Sequence, residues 1–150
     1  MAVHEDRIIM TVEDSPEDYE ALIRAFSKAG ISNPLIHCED GDEALDYLFR
    51  KGRFQDPARS PRPALLLLDL NLPGMDGREV LRTVKADEVL RTIPVVVLTT
   101  SDAEDDIAKC YADGANSYIQ KPIDLKGLVL ALKRLSDFWF DTALLPDDII

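Results

Sequence analysis

Short aliphatic runs alternate with helical patterns five times along this chain, and no other feature limits its fold so severely. Residues 8–12 are rich in β-formers and bounded by charge, which reads as a buried strand. Residues 35–38 read as a second, shorter strand, and residues 64–68 as a third, made of continuous aliphatics that end at Asp69. A fourth strand is expected over 95–98, entered after Pro94, and a short fifth over 117–119. Between the first two runs, Ser15 offers an N-cap, Pro16 suits the first helical position, and Glu17 and Asp18 favour the positive helix end. Leu22, Ile23 and Phe26 then give one apolar face, with Gly30 as a stop. A second helix is expected over 42–49, with Leu45, Leu48 and Phe49 inward, and a third over about 78–85, carrying Val80, Leu81 and Val84. A fourth should span 104–112 and end near Gly114, and a fifth should start at an Asp124 cap and carry Leu128, Leu132 and Leu135.

Strict alternation of this kind means parallel βαβ units with right-handed crossovers. Near-continuous aliphatic strands imply burial on both faces. The expected fold is α/β: a five-stranded, parallel, doubly wound sheet in the order 2-1-3-4-5, the flavodoxin-like winding. The 150 residues fit one domain. Residues 1–137 complete it, which leaves 138–150 as a C-terminal extension. That extension carries Phe138, Trp139, Phe140, Leu144, Leu145, Ile149 and Ile150. So many large apolar residues beyond a complete unit predict an interface, and a homodimer through it, against the alternative of packing back on the domain. Residues 50–63 form a basic, proline-rich loop with Arg50, Lys51, Arg53, Arg59 and Arg62, read either as a solubilising insertion or as a contact for an acidic partner surface.

The net charge of −11 argues against nucleic-acid binding, which needs clustered Lys and Arg, and against docking on an anionic membrane. Cys38 and Cys110 allow one disulfide arithmetically, but a reduced chain is the simpler reading. His4 and His37 are isolated, and structural or solvated roles are expected of both. No apolar run approaches the ~20 residues of a membrane span, and the expected location is the cytoplasm.

Ligands of such sheets bind at the carboxyl ends of the strands, where the winding reverses, here between strands one and three. Glu13 and Asp14 follow strand one, Asp69 ends strand three, Thr99 ends strand four, and Lys121 lies just past strand five. Each taken singly is commoner as a solvated strand end, a cap, a β-former or a surface lysine. Their joint arrival at one edge is the signal. Three close carboxylates repel unless a cation joins them, and Mg²⁺ suits a donor set of carboxylates, a carbonyl and water. The backbone carbonyl of Asn71 is placed to add an oxygen. Asp69 is then the expected nucleophile forming an acyl phosphate, Lys121 the mobile charge on a phosphoryl oxygen, and Thr99 a hydrogen-bond partner for another.

The pair Glu13-Asp14, the run Leu-Leu-Leu-Leu-Asp69-Leu-Asn-Leu-Pro-Gly-Met-Asp-Gly, then Val-Val-Val-Leu-Thr99-Thr, and finally Tyr118-Ile-Gln-Lys121-Pro122 closely resemble the receiver domain of two-component response regulators over about residues 6–137. The resemblance implies phosphorylation of Asp69 by a sensor histidine kinase. It implies Mg²⁺ held by Glu13, Asp14, Asp69 and the Asn71 carbonyl, with Thr99 and Tyr118 as the switch. It also implies a cis Lys121–Pro122 bond. Thr100 departs from the family, where many relatives carry Ala, and this leaves the lifetime of the acyl phosphate open. The 50–63 loop and the Phe138-Trp139-Phe140 tail further resemble the response regulators that partner bacterial phytochrome-type kinases.

The implied protein is a stand-alone phosphoryl acceptor rather than a conventional enzyme, with slow self-dephosphorylation at most and output through protein contacts. A phosphatase of the haloacid dehalogenase type needs a second acid two residues after its nucleophile, and that position here is Asn71. A phosphorylation-independent interaction module is the remaining alternative.

Overall fold

The structure is a computed structural model that describes residues 6–146; His4 and residues 147–150, including Ile149 and Ile150, lie outside them. Strands β1 (Ile9–Val12), β2 (Leu35–Cys38), β3 (Leu65–Leu68), β4 (Val95–Thr99) and β5 (Ser117–Gln120) form one sheet in the order β2-β1-β3-β4-β5. Every pairing is parallel. The crossovers are α1 (Pro16–Lys28), α2 (Gly41–Phe49), α3 (Gly77–Ala86) and α4 (Glu104–Ala112), and α5 (Leu125–Ser136) follows β5. The expected doubly wound architecture is therefore present.

Side chains of a strand alternate between faces, and here both faces are buried. Met10, Val12, Leu66, Leu68, Val95 and Val97 pack toward α2 and α3, whereas Ile9, Leu65, Leu67, Val96 and Leu98 pack toward α1 and α5. The edge strands β2 and β5 are only partly covered, which matches their more polar sequences.

The helix starts follow local chemistry. Ser15 accepts from the Asp18 amide, Asp40 from Glu43, Asp76 from Arg78 and Asp124 from Gly127. Two predicted faces shift. On α1, Ala25 joins Leu22 and Phe26 in the core while Ile23 is exposed, because residues three and four past Leu22 share its face and residue 23 lies about 100° away. On α2, which begins at Gly41, the buried stripe is Gly41, Ala44, Tyr47 and Leu48, with Leu45 and Phe49 half-buried at its edges.

The basic loop is ordered by its own polar groups. Arg50 takes a left-handed conformation (φ 56°) and turns the chain away from α2. Buried Ser60 donates to the carbonyls of Phe54 and Asp56, and Tyr47 Oη donates to the Pro61 carbonyl at 2.6 Å. Arg53 pairs with Glu43 at 2.8 Å.

The tail corrects two interface expectations. The last helix widens into a π-helical turn over Asp137–Thr142, closed by the Ala143 amide on the Phe138 carbonyl at 2.7 Å. This turn drives Phe140 into the core beneath α1 and α5, and Leu145 follows; both are only 3% exposed. Phe140 and Leu145 thus pack back on their own domain, because that cluster offers them apolar surface. Phe138 (52%) and Leu144 (80%) remain exposed, and Trp139 is partly covered. Phe140→Ala is expected to cost about 3–5 kcal/mol of folding stability, read by urea denaturation. A loss below about 1 kcal/mol would mean that the tail does not dock. The Lys121–Pro122 bond is not cis, since no described peptide bond is; trans is the intrinsically preferred X-Pro isomer.

Candidate functional site

Register brings the acids together. Val12 stands level with Cys38 on one side and Leu68 on the other. The next residues, Glu13 and Asp69, therefore leave the sheet side by side, with the Asp69 amide donating to the Val12 carbonyl at 3.1 Å and the Glu13 amide to the Cys38 carbonyl at 3.0 Å. Thr99 pairs with Gln120 across β4 and β5, and the Lys121 amide bonds the Thr99 carbonyl at 2.6 Å. Four strand ends thus converge on one point.

At that point Glu13, Asp14 and Asp69 each present a carboxylate oxygen, all within 4.8 Å of one another. Glu13 and Asp69 are buried and Asp14 is exposed. The Lys121 ammonium donates to Glu13 Oε1, to Asp69 Oδ2 at 3.0 Å and to Asp18 Oδ2 at 3.2 Å. Burial pulls the Lys121 pKa down, but the hydrogen bond to Glu13 and the charge of Asp69 outweigh it, so the ammonium is held charged. Burial raises the Glu13 pKa, against the opposing pull of Lys121. Asp69 Oδ1 accepts from the Asn71 amide at 3.2 Å, which orients the carboxylate from behind. A cleft of about 180 Å³ opens beside the group, between α1 and α5, and gives the buried acid a path to solvent.

Among the described residues, Lys121 is the one counter-charge for two acids that are 6% and 9% exposed. Removing one member of a buried ionic group leaves its partners uncompensated. Lys121→Ala is therefore expected to cost about 3–5 kcal/mol in metal-free buffer, measured by urea denaturation. An unchanged midpoint would show that water already screens the acids.

Thr99 is fully buried, and its Oγ1 has no hydrogen-bond partner among the described residues. A hydroxyl left so costs about 1–3 kcal/mol, and a ligand oxygen would satisfy it. Tyr118 is half-buried against the core, and its hydroxyl donates to the Ser101 carbonyl at 2.9 Å, tethering the loop after β4.

Some partners are not announced by the sequence. Asp18 reads there only as a helix-start acid, yet its position in the first turn of α1 brings it onto Lys121. His37 and Tyr19 stack beside the acidic group, with ring centroids 3.6 Å apart. Cys38 and Cys110 are free and buried, and burial pushes their thiols up to about 12 and about 11. Among the described residues, no helix is long and apolar enough to cross a membrane.

Comparison with known proteins places this geometry. Residues 9–133 match the response regulator receiver domain family. Response regulator Rcp1 of Synechocystis sp. is 41% identical over 140 residues, covering 93% of each chain. Its Mn²⁺-bound structure matches with a TM-score of 0.84, covering 93% of this chain and 99% of that one. The phosphorylated cyanobacterial phytochrome response regulator RcpA is 42% identical, with a TM-score of 0.86 and coverage of 94% and 99%. Response regulator RPA3017, from red light signalling of R. palustris, is 38% identical, with a TM-score of 0.89 and coverage of 93% and 98%. The chain belongs to the receiver domain family of two-component response regulators.

Proposed function

We propose that Asp69 accepts a phosphoryl group from a sensor histidine kinase of the phytochrome type, with Mg²⁺ seated on Glu13, Asp14, Asp69 and the Asn71 carbonyl. The observation that carries this reading is the single ion-paired group in which Lys121 joins Glu13 and Asp69, with Asp14 alongside. Receiver domains bind Mg²⁺, and the donors here are all hard oxygens, three of them carboxylates close enough to share one ion. When bound, the ion supplies positive charge against the phosphoryl oxygens.

The chain's own residues do the rest. Asn71 holds one oxygen of Asp69, so the carboxylate is oriented before the donor arrives. An Asp69 oxygen attacks phosphorus, a new P–O bond forms, and the donor's bond to phosphorus breaks with its electron pair leaving on the donor. Lys121 passes from its carboxylates to a phosphoryl oxygen, and the unpartnered Thr99 hydroxyl donates to another. Filling that bond draws Thr99 toward the group and biases the loop that Tyr118 holds at Ser101, which shifts a two-state equilibrium.

The phytochrome link rests on RcpA and RPA3017 and on the ordered 50–63 loop and aromatic tail. Output is through protein contacts, in keeping with the net charge of −11, and no conventional enzyme activity is expected. Exposed Phe138 and Leu144, with part of Trp139, support a homodimer, and free Cys38 and Cys110 support a cytoplasmic location. Intact mass after incubation with acetyl phosphate tests the central reading. The expected result is one added phosphoryl group with Mg²⁺ present and none with EDTA. No gain by a folded protein would overturn it in favour of a phosphorylation-independent module.

A further inference from the structure

His37 sits on β2, outside the acidic group, yet its Nε2 lies 2.7 Å from the Glu13 backbone carbonyl. A carbonyl oxygen only accepts, so Nε2 carries the proton and donates. The ring is held in place by Tyr19 of α1, stacked on it at 3.6 Å with an interplanar angle of 11°. Three elements therefore meet at this imidazole: β2 carries it, α1 clamps it, and the end of β1 receives its hydrogen bond.

The carbonyl that His37 binds belongs to the Glu13–Asp14 peptide unit. A peptide is planar, so fixing its oxygen fixes the direction in which Asp14 leaves the strand. This matters because the Asp14 side chain is exposed and makes no hydrogen bond or ion pair among the described residues. Glu13 and Asp69, by contrast, are both tied to Lys121. Backbone orientation is what holds Asp14 near the other two carboxylates.

We infer that His37 is a positioning residue for a divalent cation: it locks the Glu13–Asp14 peptide so that Asp14 is pre-set as a ligand. The inference rests on the proposed seat at Glu13, Asp14 and Asp69. Groups that orient metal ligands from outside are often worth about 10–100-fold in affinity. A backbone-mediated effect belongs near the lower end of that range.

The test is Mg²⁺ titration of the full chain by calorimetry, with no phosphodonor present. His37→Phe keeps a ring on Tyr19 and removes the donor. His37→Gln places a donor at about the same reach. The expected result is about a tenfold weaker Mg²⁺ affinity for His37→Phe, with affinity largely restored in His37→Gln. Asp14→Asn separates the two readings. If Asp14→Asn binds Mg²⁺ like the native chain, the seat itself is wrong. If Asp14→Asn loses binding while His37→Phe retains native affinity, the seat stands and the role of His37 is overturned. Equal losses in His37→Phe and His37→Gln would likewise overturn it, by assigning the effect to packing. Should His37→Phe fail to fold, NMR of the native protein decides: a slowly exchanging His37 Nε2–H that shifts on Mg²⁺ addition supports the inference, and its absence overturns it.

Discussion

Asp69→Asn is expected to take up no phosphoryl group from acetyl phosphate and Mg²⁺, while the native chain gains one. The substitution is nearly isosteric. Its Oδ1 can still accept from the Asn71 amide, which now bonds Asp69 at 3.2 Å. Lys121 keeps Glu13 and Asp18 as partners, so the ammonium is not stranded and the fold should persist. What disappears is the nucleophile, because a neutral amide cannot form the acyl phosphate. The rate should fall by about 10⁴-fold or more, the scale on which removing a nucleophile silences covalent chemistry. Intact mass reads the uptake and circular dichroism the fold. If the variant gained the phosphoryl group at the native rate, the acceptor would be another acid, and exposed Asp14 would be the first to examine.

Most of this site is legible in the sequence because it is built from strand ends. An aliphatic run announces its own terminus, and a parallel sheet puts all such termini on one edge. Asp69 after Leu65–Leu68 and Glu13 after Ile9–Val12 are therefore placed by pattern alone. Lys121 follows the same logic one residue past β5. Helix starts are equally local: Ser15 and Asp124, both expected as caps, each accept from an amide three residues on, and the structure adds Asp40 and Asp76 as caps of the same kind.

What depends on distance through space is not legible. Asp18 looks like an ordinary first-turn acid, and nothing in its neighbourhood says that a lysine 103 residues later will reach it. His37 looks isolated, because its partners, Tyr19 and the Glu13 carbonyl, belong to other elements. The tail misleads for a related reason. Phe138, Trp139, Phe140, Leu144 and Leu145 are equally apolar on paper, and only the π-helical turn decides that Phe140 and Leu145 face inward while Phe138 and Leu144 do not. That turn depends on i+5 bonding, which no residue pattern here announces.

Gly77 shows how a residue without a functional group can control the site, and Gly77→Ala is expected to slow phosphoryl uptake by about 10²-fold although it touches no reacting atom. Its backbone angle is not in the left-handed region, so conformational freedom is not why glycine is needed. Close approach is the reason. A Cβ on residue 77 would lie 2.2 Å from the Asp69 carbonyl oxygen and 2.7 Å from Leu70 Cα. Both neighbours are backbone and neither can rotate away. Moreover, the Gly77 amide donates to the Leu70 carbonyl at 3.1 Å, which binds the start of α3 to the end of β3. Relief of the clash therefore requires the loop carrying Asp69 and Asn71 to move by about 1 Å, and a misplacement of that size costs on the order of 10²-fold in a positioned reaction. Overpacking should also cost about 1–3 kcal/mol of stability. Gly74 is the matched control: it lies in the same loop at φ +72°, and a methyl group added there would meet nothing within 4 Å. Gly74→Ala pays only for the left-handed backbone, about 1–2 kcal/mol, and should take up phosphate at close to the native rate. Urea midpoints and acetyl phosphate kinetics on the two variants separate strain from misplacement. Equal stability losses with a rate loss in Gly77→Ala alone mean that close backbone packing behind Asp69 sets its aim, whereas native kinetics in both would mean that the loop absorbs the added methyl without moving the acceptor.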